Sequence, residues 1–160
     1  MEINLLALIA AAASTLVVGF VWYNPKVFGT AWMQAAEMTE DKMKGANMAL
    51  IFGLSFLFAV FLSFEMQFLT IHQTGALGMV GADIENALPS YAAFMSDYGD
   101  AFRTFKHGAL HGLMAGLFFA FPIIATNALF ERKSWKYIFI NSGFWIVCLI
   151  IIGAIVCGWR

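Results

Sequence analysis

The chain has three histidines, and their spacing makes them the first place to look for chemistry. His107 and His111 stand four apart in Lys106-His107-Gly108-Ala109-Leu110-His111-Gly112. On a helix that interval puts both imidazoles on one stripe, about 6 Å apart. His72 lies seven positions beyond Glu65, which is set in the apolar run Phe64-Glu65-Met66-Gln67-Phe68. Imidazole and carboxylate together suit zinc, copper or iron, so the sharpest reading of His72, His107, His111 and Glu65 is a transition-metal site. HxxxH is a common pattern, though, and the extra glutamate of a metalloprotease H-E-x-x-H is missing. The plainer reading therefore comes first. In it Glu65 is protonated or hydrogen-bonded to His111 across helices, and His72 and His107 sit in interfacial water. Such intramembrane contacts contribute about 0.6–2 kcal/mol. A third reading makes Glu65 and His111 part of a proton or ion path, because carboxylate–histidine chains act as relays. No nucleophile–base–orienter set, phosphate loop or cofactor fingerprint occurs, so catalysis has no route except through the histidines. No cofactor is expected beyond that one candidate metal.

The elements that position these groups follow from composition. Of 160 residues, 61% are hydrophobic and 12% charged, against roughly 45–50% and 25% in soluble domains. So small a chain exposes too much surface to stay soluble with so few charges. The balance excludes a disordered chain and a disulfide scaffold. A net charge of −1 gives no field for a nucleic-acid partner. A helix needs about 20 apolar residues to cross the hydrocarbon core, and four runs qualify: 3–23, 48–71, 109–130 and 137–159. In lipid the backbone must satisfy itself, which makes these runs helices. The alternation a barrel needs is absent. The expected fold is all-α, an integral membrane four-helix bundle forming one domain with lipid as its main partner. The first run lacks a basic n-region and is read as a retained span rather than a signal peptide.

With four spans, the end of helix two and the start of helix three lie on one side, so the histidines and Glu65 gather at one rim. The two short loops carry Lys26, Lys42, Lys44, Arg132, Lys133 and Lys136; the other side carries Arg103, Lys106 and Arg160. Basic residues favour the cytoplasm, which puts the termini and the long central loop outside, in the periplasm. Trp22, Tyr23, Trp135, Tyr137 and Trp159 fall where headgroup anchors belong. Residues 27–38 read as a short interfacial helix, and Thr39 as the N-cap of the lead-in to helix two. The central loop, 72–107, is broken early by Gly75, Gly78 and Gly81. Over 90–106 its aromatic spacing predicts an amphipathic interfacial helix running into the third span. Cys148 and Cys157, nine apart, face opposite ways on one helix and do not bridge.

Small residues recur at four-residue steps: Gly108, Gly112 and Gly116 in helix three, with Gly45, Ala49 and Gly53 leading into helix two. Such stripes let backbones approach closely, either inside the bundle, which is the first expectation, or between copies in a homo-oligomer. Pro122 should kink helix three unless neighbours re-satisfy the freed carbonyl. Asn127, Asn141 and Ser142 are placed to bond helices three and four.

Two passages together resemble a known family. Trp22-Tyr23-Asn24-Pro25 with Phe28-Gly29 and Trp32-Met33 is similar to a W-Y-x-P-x-x-F-G-x-x-W-M signature. Asn127-Ala128-Leu129-Phe130-Glu131, then Ser134-Trp135-Lys136 and Ile140-Asn141-Ser142-Gly143, is similar to its N-x-L-F-E…W-K…I-N-x-G block. The family is a bacterial four-span membrane family of unknown function, domain of unknown function seventeen sixty-one. The resemblance implies the fold and a bacterial inner-membrane location, and it names no substrate or reaction. The histidine stretch lies outside this signature. Trp22, Tyr23, Pro25 and Trp32 share the cytoplasmic face with Glu131, Trp135 and Asn141, where interfacial anchoring is the ordinary role. A more specific expectation pairs Glu131 and Lys136 or Arg132 with the backbone of the Pro25 turn. The leading functional expectation is a structural, accessory or self-associating membrane protein. The alternatives are a transporter using Glu65 and His111, and a metal-binding protein using the whole cluster.

Overall fold

Each membrane span begins at a residue whose side chain closes the first helical turn. In the computed structural model, which describes residues 3–81 and 83–160, Asn4 caps α1 (Leu5–Trp22) by accepting from the Ala7 N–H at 2.9 Å. A π-helical turn, Pro25–Gly29, leads into the short α2 (Thr30–Ala35), and Thr39 caps α3 (Glu40–Met43). Asn47 caps α4 (Met48–Thr70), accepting from Leu50. Two loop helices follow, α5 (Gln73–Met79) and α6 (Pro89–Tyr98). Thr104 then caps α7 (Phe105–Ala115), a second π turn (Gly116–Ala120) joins it to α8 (Phe121–Phe130), and Ser134 caps α9 (Trp135–Gly158). Asn, Thr and Ser at these positions accept a donor that the first turn otherwise leaves unpaired. Among the described residues there is no strand.

α1, α4, the run Phe105–Phe130 and α9 are each long and apolar enough to span a membrane, so the chain is a multi-pass membrane protein. α9 is the axis, in contact with α1, α4, α7 and α8. Accordingly it is apolar all round and buries Ile138, Cys148, Ile152, Val156 and Cys157 on different faces. Both cysteines are free and fully buried. The outward faces carry large apolar side chains such as Phe20, Phe52, Phe58, Phe118 and Phe119. Lipid solvates that surface; in water it would be an aggregation hazard.

The glycine stripe of helix three forms the α7–α9 seam. A Cβ on Gly108 would run into the Gly153 carbonyl, one on Gly112 into the Leu149 backbone, and one on Gly116 into Ile146. The stripe is thus occupied within the chain. Of these glycines and Gly53, only Gly53 looks outward, with nothing within 4 Å of a Cβ built there.

Two local expectations are corrected. The loop helix does not run into the third span: α6 ends at Tyr98, and Phe102 takes a left-handed backbone (φ 62°) before α7 begins. The glycines at 75 and 78 do not break the chain, because Gln73–Met79 closes into a helix around them. Pro122 is met by the π turn before it, where the Phe121 N–H bonds back to Gly116 across five residues. A widened turn of this kind accommodates a ring that an ordinary helix would exclude.

Candidate metal centre

The histidines lie at the end of the molecule that also holds both chain ends. The Asn4 side-chain amide donates to the Trp159 carbonyl at 3.4 Å. The loop between α6 and α7 is tied to the same place. Arg160 pairs with Asp100 at 3.0 Å, Arg103 Nε donates to the Cys157 carbonyl at 3.0 Å, and Gln73 Nε2 donates to the Tyr98 and Ala101 carbonyls at 2.6 and 2.9 Å. Sequence reasoning gathered these segments at one rim by counting passes; the bonds show how they are held there. Gln73 and Arg103 were not singled out, since polar residues in a loop carry no signal that they will bridge elements.

Two elements deliver the three imidazoles. α4 stops at Thr70, Ile71 leaves the helix with extended backbone (φ −105°, ψ 98°), and His72 follows at the head of α5. His107 and His111 lie one turn apart near the start of α7, where the seam with α9 presses Gly108 and Gly112 against backbone. His72 Nε2 and His107 Nε2 are 3.0 Å apart. The ring centroids of His111 lie 4.5 Å from those of His107 and 5.0 Å from those of His72. One nitrogen from each ring falls within 4.8 Å of the others, so the three can share an ion. Two nitrogens bound to a tetrahedral zinc at about 2.0–2.1 Å sit roughly 3.3 Å apart, close to the 3.0 Å between His72 and His107. Phe102 covers one side, its ring 5.1 Å from His107 and 5.9 Å from His72. His72 is exposed, and His107 and His111 are half-buried.

Glu65 does not join them. The buried face of α4 is Ala59, Ser63, Met66, Gln67 and Thr70. At about 100° per residue, Glu65 falls on the opposite side, and it is exposed. Its expected alignment with His72 assumed a helix continuing through both, but α4 ends between them. The group of converging donors is His72, His107 and His111, and among the described residues no bond joins Glu65 to His111. A relay built on that pair has no support in the geometry.

The signature residues meet at the other end. Asn141 Oδ1 accepts from the Tyr23 hydroxyl and from Trp32 Nε1, both at 3.3 Å, while its amide donates to the Tyr137 carbonyl at 2.8 Å. Trp22 Nε1 donates to the Ile140 carbonyl at 3.1 Å, and its ring lies over Gly143, where a Cβ would come within 3.0 Å of it. Phe28 packs on that ring at 4.5 Å. Gly29 has no room for a side chain, because a Cβ would overlap the Tyr23 carbonyl. The two signature blocks therefore do meet, but through different residues from those expected. Among the described residues Glu131, Arg132 and Lys136 make no bond to the Pro25 turn, and the one ion pair joining these loops is Lys133–Glu37 at 3.6 Å. Asn141 was expected to bond helices three and four; its partners come instead from the segment after α1. Trp135 stays exposed and stacks near Phe139, as an interfacial anchor does.

These contacts give the signature residues packing roles where the two blocks meet. No curated protein and no solved structure matches the chain. The family described as a protein of unknown function (DUF1761) matches residues 6–157, nearly the whole chain, and the chain belongs to that family.

Proposed function

We propose that the protein is a metal-binding membrane protein in which His72, His107 and His111 hold one transition-metal ion, with zinc or copper suiting an all-imidazole donor set best. One observation carries this reading: all three histidines of the chain, from two elements separated by the whole central loop, bring their nitrogens within 4.8 Å of one another. Three imidazoles fill three tetrahedral positions and leave the fourth for water or an exchangeable ligand. Exposed His72 gives the ion an entry path from the aqueous side, so the site is suited to taking up and exchanging an ion at the membrane rim. We place the chain in a bacterial inner membrane with this rim in the periplasm, on the excess of basic residues in the opposite loops.

The test is metal titration of the full chain, stripped of metal, in lipid nanodiscs. The reading expects one zinc or copper per chain, and affinity at least a hundredfold weaker in His107→Ala and His111→Ala, while both variants keep the wild-type helical signal. Substoichiometric metal, or binding unchanged by His111→Ala, contradicts it.

A further inference from the structure

His72 differs from its two partners in how it is held. His107 and His111 ride on α7, which the glycine seam presses onto α9. His72 stands outside the span, because α4 ends at Thr70 and Ile71 is extended. It heads α5, and a helix of seven residues does not keep its shape in water unaided. The first residue of α5 supplies the support. Gln73 is only 3% exposed, and its Nε2 donates to the Tyr98 carbonyl at 2.6 Å and to the Ala101 carbonyl at 2.9 Å. Through its neighbour, His72 is thus joined to the segment between α6 and α7.

That segment reaches the histidines a second time. The Phe102 ring centroid lies 5.9 Å from that of His72 and 5.1 Å from that of His107, and its backbone is left-handed at φ 62°. A bulky residue keeps such a conformation only where its surroundings impose it. From the far side, Arg160 donates to Asp100 Oδ1 at 3.0 Å and to the Asp100 and Arg103 carbonyls at 3.2 Å each. Residues 98–104 are therefore tied to Arg160 just beyond α9 and, through Gln73 and Phe102, to the metal ligands.

We propose that Gln73 couples the metal site to residues 98–104, so that an ion on the histidines and closure of this segment over the rim each favour the other. The inference rests on the metal reading above and adds a response to it. An ion that fixes His72 against α7 also fixes Gln73 beneath its two carbonyls. With the carbonyls in place, His72 already stands where the ion needs it. Such coupling is reciprocal, and factors of about 5–150 are usual.

The test follows amide exchange in residues 98–104 of the full chain in nanodiscs, with and without zinc, beside zinc titration of the same samples. The Ala101 and Thr104 amides bond within the segment, to the Tyr98 and Phe102 carbonyls, so their exchange reads its opening. Zinc should slow them at least tenfold in the wild type. Gln73→Leu keeps the side-chain bulk without the donor; it should cut that slowing to threefold or less and weaken zinc binding about tenfold. Arg160→Ala frees the same segment from the end of α9 without touching α5. It should weaken zinc binding at least threefold, an effect that a role for Gln73 confined to α5 does not produce. Zinc bound with unchanged exchange, or wild-type zinc affinity in either variant, overturns the coupling and leaves the metal reading standing. No zinc bound by the wild type overturns both.

Discussion

Gly112→Ala, compared with Gly53→Ala, tests the α7–α9 seam with the same chemical change in two surroundings. At Gly112 the added methyl would overlap the Leu149 carbonyl group and lie 2.7 Å from Ile150 Cα. Carbon contacts settle at about 3.5–4.0 Å, so α7 must retreat by about 1 Å. The obstructing atoms are backbone and cannot rotate aside. A gap of that size forfeits about a quarter to a half of the dispersion energy at each contact it opens, and overpacking of this sort costs about 1–3 kcal/mol. The helix propensity of alanine over glycine offsets about 1 kcal/mol. At Gly53 nothing lies within 4 Å, so the propensity gain stands alone. The two variants should therefore differ by roughly 1–3 kcal/mol, with Gly53→Ala neutral or stabilising. Steric-trap unfolding in bicelles reads this difference directly. Gly112→Ala should also weaken metal binding at least tenfold, because His111 moves with the backbone beside it and a site of this kind needs its ligands held within about 0.5 Å. Equal stability of the two variants would refute the seam.

Asn141→Ala removes the acceptor shared by Tyr23 and Trp32, and should cost about 1–2 kcal/mol. A shift in tryptophan emission that is absent from Asn141→Ala/Trp32→Phe would trace the effect to that bond. Arg132→Gly relieves a left-handed backbone (φ 57°) just past the end of α8, and should stabilise by about 1 kcal/mol in the same unfolding assay. Zinc affinity should fall as the pH is lowered, since protons compete for the imidazole nitrogens and only neutral rings ligate. Titration at stepped pH checks this, and an affinity rising toward acid would be the wrong sign.

The spans were legible because a run of about 20 apolar residues has few fates; of the caps only Thr39 was read from the sequence, and Asn4, Asn47 and Ser134 were not. The histidine rim was legible too: four passes put residues 72 and 107 on one side without any knowledge of contacts. Glu65 was misplaced because helical periodicity holds only while the helix lasts, and Ile71 ends it. The break before α7 was hidden for a related reason. Phe102 continues the apolar spacing, and nothing in a phenylalanine announces a positive φ. Asn141 could be recognised as a hydrogen-bonding residue but not matched to Tyr23 and Trp32, since one sequence carries no pairing information across more than 100 positions. Gln67 passed unnoticed beside Glu65, yet of the two it is the buried one.

X-ray absorption at the metal edge, on the zinc-loaded chain in nanodiscs, bears most directly on the assignment of His72, His107 and His111. Three imidazole nitrogens at about 2.0–2.1 Å with one further light-atom ligand is the expected first shell. A shell of water oxygens alone, or one that His72→Ala and His107→Ala leave unchanged, would contradict it.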